Sequence, residues 1–273
     1  MVSLLFLVKI WRKNFTRPLE ISGIRNYFTS AMNTAIIYNY FSKFLPMPCP
    51  LCRTGEPGMP NGFCDACREK LQLHPEHMES CPGCGGRMSG ALAVCMQCLA
   101  EPERPWHRAY SLMPYRGFAR NAIRDLKFHN RPELARAFGM LLAGKIRECG
   151  IGADMVIPVP LTFARYLSRG YNQSELLADM VRSFCRIPVM HPLRRISKRS
   201  QQAGRNRLDR HKELAGSFIL TAPEKIKDRR ILLIDDVFTT GATLHAAVSA
   251  LLPGEPADVT ILTLARTPGH SGF

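Results

Sequence analysis

Two adjacent carboxylates and a run of small residues follow one apolar stretch near the C-terminal end of the sequence. The apolar stretch is Ile231–Ile234, and Asp235 and Asp236 come directly after it. The small residues are Thr239, Thr240, Gly241, Ala242 and Thr243. A glycine lets the backbone approach a ligand, threonine hydroxyls add donors, and the free N–H groups at a helix start attract phosphate. With the carboxylates accepting hydrogen bonds from vicinal hydroxyls, the pattern predicts a cradle for a sugar 5-phosphate.

A simpler interpretation treats one acid as a turn residue and one threonine as a helix N-cap. That interpretation accounts for two residues of the string and leaves the second acid, the glycine and the other threonines without a reason. We therefore interpret the string as a strand, a turn and a helix start that together also bind a ligand.

Cysteine dominates a second part of the sequence, where eight of the ten cysteines form four Cys-x-x-Cys pairs. The pairs are Cys49/Cys52, Cys64/Cys67, Cys81/Cys84 and Cys95/Cys98. Two such turns supply the four thiolates of a closed tetrahedral site, so the repeat predicts about two structural Zn²⁺ ions and no catalysis at the metal. Sequential pairing (the first four cysteines, then the last four) is favoured, and a cross-braced arrangement stays open.

Two other uses compete for these cysteines. Four thiolates also hold an iron–sulfur cluster, and a disulfide framework would need an oxidising compartment. No apolar run reaches the roughly 18 to 20 residues needed to span a bilayer. The short run Val2–Val8 is followed, not preceded, by basic residues, unlike a signal peptide. The sequence therefore predicts a cytoplasmic protein, and its reducing surroundings favour zinc over disulfides.

Length and charge restrict the class of protein further. A chain of 273 residues that is 46% hydrophobic accommodates one ordinary domain and a smaller unit, and its composition excludes collagen-like and disordered classes. Its formal net charge of +15 favours an anionic partner such as nucleic acid, a nucleotide or a phosphorylated sugar.

Strands and helices must alternate to position the acid pair. Helical periodicity predicts helices over 132–149, 175–184 and 244–252, and apolar runs predict strands at 155–160, 231–235 and 258–265. This alternation is typical of a mostly parallel sheet with helices on both faces, which binds ligands at the carboxyl ends of its strands.

The predicted organisation has three parts. Residues 1–46 form a basic N-terminal extension, either disordered or contributed by an upstream start codon. Residues 47–104 form the cysteine-rich module, and residues 105–273 form the α/β domain.

The string LLIDDVFTTGAT resembles the 5-phosphoribosyl-1-pyrophosphate (PRPP) motif of type I phosphoribosyltransferases. The whole span from Cys49 to Arg266 is similar to the ComF family, in which a zinc module precedes a phosphoribosyltransferase domain. The resemblance rests on CPLC…CDAC, CPGCGG…CMQC, RDLKF, IPVPLTFARYLSRGYNQSELL, QQAGRNRLDRHKELAGSF and the motif itself. It implies a type I phosphoribosyltransferase-like α/β fold, with a mostly parallel sheet and flanking helices, preceded by a small double zinc ribbon.

The resemblance also implies roles for single residues. Asp235 and Asp236 would bind the ribose hydroxyls and stabilise charge on the ring, and the loop Thr239–Thr243 would bind the 5-phosphate. Mg²⁺ would be held mainly by the ligand's own pyrophosphate and hydroxyls. The expected chemistry is Mg²⁺-dependent attack by a nitrogen nucleophile at ribose C1 with release of pyrophosphate. No base-recognition loop identifies the acceptor, and the oligomeric state stays open.

A second segment corresponds to the pyrophosphate-binding side of the family. Its residues are Arg165, Arg169 and Gly170, with Asn172 and Gln173 in the string GYNQ. Arginine suits this role because a guanidinium binds phosphate oxygens bidentately. The chain departs from the family at Glu213, where the family often has an asparagine, so no role is carried over to that position.

A function of another class stays open beside the enzyme. ComF resemblance implies a part in DNA uptake during natural competence, with single-stranded DNA and proteins of the competence machinery as partners. The segment His191–Lys212 contains eight Lys and Arg against one acid, as a groove that follows a nucleic-acid backbone would need, but it has no aromatic residue for stacking. The alternative is therefore a non-catalytic single-stranded DNA-binding or scaffold protein that uses the fold as a binding module.

Overall fold

The computed structural model describes residues 48–54, 62–74, 80–88, 92–100, 104–196 and 216–268. The N-terminal extension predicted for residues 1–46 lies outside these ranges, and so does most of the basic segment His191–Lys212. No helix in the described ranges is long and apolar enough to cross a membrane.

The helices and strands of the described residues follow each other in the predicted alternation. The helices are α1 (Asp65–Leu71), α2 (Met96–Leu99), α3 (Gly117–Phe128), α4 (Leu134–Glu148), α5 (Phe163–Arg169), α6 (Gln173–Cys185) and α7 (Ala242–Leu251). The strands are β1 (Arg108–Pro114), β2 (Met155–Pro158), β3 (Leu193–Arg195), β4 (Phe218–Leu220), β5 (Arg230–Phe238) and β6 (Asp258–Arg266). The three helices predicted from periodicity correspond to α4, α6 and α7, and the three predicted strands to β2, β5 and β6.

A parallel sheet with the strand order β1-β6-β5-β2 forms the centre of the structure, which confirms the predicted fold class. Strands β3 and β4 form a separate antiparallel pair. In the sheet, β5 is one of the two inner strands and carries the run Ile231–Ile234, whose residues are at most 1% exposed. A parallel strand with both faces covered is expected to be continuously apolar, as this run is.

Helices cover both faces of the sheet. Leu232 and Ile234 share one apolar layer with α3, α4 and α6, whereas Ile231 and Leu233 share the other with α7. Alternate residues of a strand point to opposite faces, so the apolar run serves both layers at once.

The cysteine-rich region packs into these two layers. The first tetrad joins the layer of α3 and α4, where Phe63 lies edge-on to Phe138 with ring centroids 5.0 Å apart. The second tetrad joins the layer of α7, together with Trp106 and Phe238. The cysteine region and the α/β domain therefore share a hydrophobic core.

Candidate functional site

The acid pair lies inside β5, not at its end. Pairing between β5 and β6 continues through Asp235↔Thr263 to Phe238↔Arg266, so the strand extends three residues past the predicted end at Asp235. On the other side, β2 already ends opposite Ile234. Asp235 and Asp236 thus lie just beyond the end of β2, while β6 still pairs with this part of β5.

Asp235 is held by two donors. Ser174 Oγ, near the start of α6, donates to Asp235 Oδ1 at 3.0 Å, and the backbone N–H of Asp236 donates to the same oxygen at 2.9 Å. The residue is only 9% exposed. Burial, and then the neighbouring charge of Asp236, raise the pKa of Asp235 to about 7, because two close carboxylates cannot both ionise at low cost.

Asp236 has one oxygen paired and one available. Lys127, near the C-terminal end of α3, places its Nζ 2.7 Å from Asp236 Oδ1. Asp236 Oδ2 is buried and has no hydrogen-bond partner among the described residues. A buried carboxylate oxygen without a donor is costly to leave unpaired, so this atom is an acceptor position for a ligand hydroxyl or a hard cation.

The loop after β5 turns at a glycine just before α7 begins. Gly241 precedes α7 with φ of 84°, a left-handed conformation that favours glycine. A Cβ added there would lie 3.0 Å from the ring of Phe238, so a side chain also lacks space. Thr240 Oγ1 accepts from the Ala242 N–H at 3.3 Å, while Thr239 is exposed and Thr243 half-buried. The glycine thus brings the backbone N–H groups of the α7 start to the same sheet edge as the acids.

The predicted pyrophosphate side lies on α5 and the turn that follows it. The Arg169 guanidinium stacks over the ring of Phe128 at 4.9 Å and donates to Gln173 Oε1. Burial lowers the pKa of Arg169, and the charge of Asp236 opposes that change, so this arginine is within electrostatic reach of the acids. Arg165 is exposed on α5, and Gly170 ends the helix with φ of 81°.

The string GYNQ positions this turn. Asn172 Oδ1 accepts from the Ser174 N–H at 3.0 Å as the N-cap of α6, and its Nδ2 donates to the Val159 carbonyl at 3.1 Å. Tyr171 donates its hydroxyl to the Leu126 carbonyl in α3. These bonds tie the start of α6 to the ends of β2 and α3, and they place Ser174 against Asp235.

Two residues of the site were not predicted. Lys127 is the lysine of RDLKF and Ser174 follows GYNQ; both strings carried the family resemblance without a role for these residues. The contact of Lys127 with Asp236 arises only when α3 packs beside β5. A lysine next to the end of a short amphipathic string was the one available signal.

The two cysteine tetrads are sequential, and the cross-braced alternative is not the one adopted. Within each tetrad, all ligand sulfurs lie within 4.8 Å of one another. The Cys52–Cys64 and the Cys84–Cys95 Sγ atoms are both 3.7 Å apart. Four sulfurs about 2.3 Å from a central Zn²⁺ in a tetrahedron would lie about 3.8 Å apart, so both tetrads fit zinc.

The pair of acids gives an expected pH dependence of stability. An aspartate in the unfolded chain titrates near 4, whereas the folded-state pKa of Asp235 is raised to about 7. The folded protein holds more protons between these values, so its stability falls as pH rises through that window and stays low above it. Asp235→Asn does not titrate and should raise the melting temperature at pH 8 by several degrees, a gain that shrinks towards pH 5.

Asp154→Asn is the matched control for this measurement by scanning calorimetry. Hydrogen bonds from Arg230 lower the pKa of Asp154, so the sign is opposite and this variant should be less stable than wild type at pH 8. If Asp235→Asn raises the melting temperature equally at pH 8 and pH 5, the raised pKa of Asp235 is contradicted.

A family model, described as the phosphoribosyl transferase domain, matches residues 127–271. The match begins at Lys127 and contains both acids, the loop before α7 and the arginines of α5. It covers more than half of the chain.

Curated relatives match over most of the chain. Competence protein F of Haemophilus influenzae is 28% identical over 231 residues, covering 82% of this chain and 99% of the relative. DNA utilization protein YhgH of Escherichia coli is 31% identical over 230 residues, covering 82% and 98%. Competence protein ComFC of Bacillus subtilis is 32% identical over 213 residues, covering 75% and 84%. The aligned lengths require that the relatives match part of the cysteine region as well as the α/β domain.

Proposed function

Because the chain belongs to the ComF family and carries a phosphoribosyltransferase domain, we propose that it binds PRPP and transfers the phosphoribosyl group to a nitrogen nucleophile. The observation that carries the proposal is the unpartnered Asp236 Oδ2, buried beside Asp235 at the sheet edge that also holds the Gly241 loop. One edge of the sheet thus offers acceptors for vicinal hydroxyls and donors for a phosphate.

In this proposal, the acids bind the ribose and the loop Thr239–Thr243 binds the 5-phosphate through backbone N–H groups and threonine hydroxyls. Arg169, with Arg165 and the turn at Gly170, binds the pyrophosphate. Binding of the ribose by two carboxylates requires that Asp235 is ionised. The nearby Lys127 favours the charged form of Asp235, and a bound cation would favour it too. The site therefore selects a ligand that has hydroxyls between two phosphate groups.

The reaction forms a bond between ribose C1 and the nucleophile nitrogen and breaks the bond from C1 to the pyrophosphate oxygen. The bonding electron pair leaves with the pyrophosphate, which also takes up the proton that the nitrogen loses. Positive charge develops on the ring, where Asp235 and Asp236 stabilise it, while Arg169 stabilises the leaving group. The substrate's own oxygens and the carboxylates of the acid pair would hold Mg²⁺, a hard cation, and it would supply neutralisation of the charge on the pyrophosphate.

Calorimetry with PRPP and Mg²⁺ tests the binding step. We expect saturable binding of PRPP and of ribose 5-phosphate. Binding of 2-deoxyribose 5-phosphate should be about tenfold weaker or more, since it lacks one hydroxyl that the acids would accept from. A protein that takes up no PRPP with Mg²⁺ present, or that binds the two sugar phosphates equally, contradicts the assigned site.

We propose as a second role the handling of DNA in the cytoplasm, as a single-stranded DNA-binding or scaffold protein. Its support is that relatives of this chain are named a competence protein and a DNA utilization protein. Of the basic segment, residues 191–196 are described, and they place Arg194 in an exposed position on β3 while Arg195 stacks over Phe218 at 5.1 Å. We expect that neutralising Arg194, Arg195, Lys198 and Arg199 flattens the salt dependence of single-stranded DNA binding. An unchanged slope would remove the segment from the interface.

A further inference from the structure

Arg266, the last residue of β6, lies directly beside the start of the loop Thr239–Thr243, the proposed phosphate loop. It is opposite Phe238 in the sheet register and only 5% exposed. Its guanidinium lies over the Phe238 ring at 4.9 Å, and its Nη1 donates to the Thr239 carbonyl at 3.1 Å. One buried arginine therefore fixes both the end of β5 and the first peptide of the loop.

The same arginine also contacts the second cysteine tetrad. Its Nη2 donates to Gln97 Oε1, and Gln97 lies in α2 between the ligands Cys95 and Cys98. A methyl group added at Gly86 would lie 3.4 Å from both Arg266 Cγ and Cys84 Sγ, so the arginine side chain runs along the tetrad. A single side chain thus spans the distance from the cysteine site to the phosphate loop.

Trp106 makes a second connection between this tetrad and the loop. Its indole N–H donates to the Gly83 carbonyl at 2.9 Å, within the turn of the first Cys-x-x-Cys pair of this tetrad. Its ring lies edge-on to Phe238 at 6.0 Å and to His245 of α7 at 6.5 Å. The ring of Phe238 is also the surface against which Gly241 packs, so both connections meet at Phe238.

We propose that Arg266 is a positioning residue through which the second cysteine tetrad fixes the phosphate loop, so that the affinity of the loop for phosphate depends on metal in that tetrad. Short cysteine turns depend on their metal for a defined structure, because they have too few apolar residues of their own. Without metal, Gln97 is no longer held in place. Arg266 then loses one of its acceptors, and the orientation of the Thr239 peptide is no longer restrained from that side.

The coupling between the second tetrad and the loop Thr239–Thr243 is a property of the chain and needs no ligand. Its consequence for phosphate affinity rests on the proposed function, in which this loop is the phosphate site. The coupling and the phosphate affinity are therefore tested by separate measurements on the zinc-loaded full chain.

Amide hydrogen exchange tests the coupling directly. In Gln97→Ala the backbone N–H groups of residues 239–243 should exchange about tenfold faster than in wild type, and Arg266→Met should show the same change. Arg230→Met is the matched control, because Arg230 begins β5 at the opposite end and pairs with Asp154 on the surface. Equal exchange at the loop in Gln97→Ala and in the control, with zinc content intact, overturns the coupling.

Zinc affinity tests the reciprocal effect. Coupling between two sites is mutual in binding free energy, so ribose 5-phosphate should raise the affinity for one of two zinc ions several-fold in wild type, and not in Gln97→Ala. The affinity is measured by competition with a chromogenic chelator at equilibrium. Arg266→Lys keeps a donor to Thr239 and should restore part of the effect that Arg266→Met removes. A zinc affinity that ribose 5-phosphate raises equally in wild type and Gln97→Ala argues against Arg266 as the link.

The two failures are distinguishable. If ribose 5-phosphate gives no heat of binding with wild type, the proposed function fails, and the exchange measurement alone still decides the coupling. If ribose 5-phosphate binds wild type and Gln97→Ala equally tightly and loop exchange is unchanged, the coupling fails while the phosphate site stands.

Discussion

Asp236→Asn should weaken PRPP binding by at least about a hundredfold. Asp236 Oδ1 is 2.7 Å from Lys127 Nζ, and Oδ2 is buried with no partner in the described part of the chain. In the asparagine variant, the NH₂ group that turns away from the Lys127 ammonium replaces the oxygen that would accept from the ribose. The ribose hydroxyl then loses a hydrogen bond to a charged group, which contributes about 1.5–3 kcal/mol, and meets a donor where it needs an acceptor, which costs about 1–3 kcal/mol more. Together these amount to a factor of about a hundred or more.

Asp235→Asn combined with Asp236→Asn should abolish binding, measured by calorimetry with Mg²⁺ at pH 8. Ser174→Ala serves as the matched control, since it removes only the 3.0 Å hydrogen bond to Asp235 Oδ1 and leaves both charges in place. We expect it to weaken binding about tenfold or less. If Asp236→Asn binds PRPP as well as Ser174→Ala does, the acid pair is not the ribose site. Persistence of single-stranded DNA binding in the double variant would place any DNA surface elsewhere on the protein.

Cys67→Ser should lower the melting temperature by about 10 °C or more. Cys49, Cys64 and Cys67 are at most 6% exposed and belong to the same apolar layer as Phe138 and Ile123 of the α/β domain. The substitution removes one ligand of the predicted zinc site, whose binding energy would contribute to folding, and it should also loosen the packing of Phe63 on Phe138. A loss of several kcal/mol corresponds to a shift of this size for a domain of about 150–250 residues.

Cys95→Ser in the second tetrad is the comparison, because Cys95 is only half-buried. Its effect on the melting temperature should be smaller, and its main effect should fall on the phosphate loop. Scanning calorimetry with zinc analysis on the same samples measures both variants. If a fragment of residues 105–273 melts at the temperature of the full chain, the first tetrad does not stabilise the α/β domain and the expectation for Cys67→Ser is wrong.

Elements with a strong local pattern were predictable from the sequence. Helices α4, α6 and α7 have apolar faces at helical spacing, and β5 and β6 are apolar runs long enough to be buried strands. The cysteine repeat favoured the sequential tetrads that the structure forms. In each case residues close together in the sequence carry the whole signal, so no knowledge of the tertiary packing was needed.

What the sequence could not supply depends on long-range packing. The extension of β5 to Phe238 follows from its pairing with β6, and the edge strand β1 has a mixed burial pattern without clear alternation. The contact of Arg266 with Gln97 joins residues 169 positions apart. Lys127 likewise reaches Asp236 only through the docking of α3. A local pattern identifies a residue type as suitable for a site, but the neighbours that complete the site come from other elements.

The position of Trp106 supplies a spectroscopic probe that needs no label. The chain contains two tryptophans, and the other is Trp11, so replacing Trp11 by phenylalanine leaves Trp106 as the sole indole fluorophore. Trp106 contacts a turn of the second tetrad through Gly83 and lies against Phe238 next to the phosphate loop. We therefore expect its emission to change when the second tetrad binds metal and when the loop Thr239–Thr243 binds a ligand, so that one titration reports on both sites without an assay for a product.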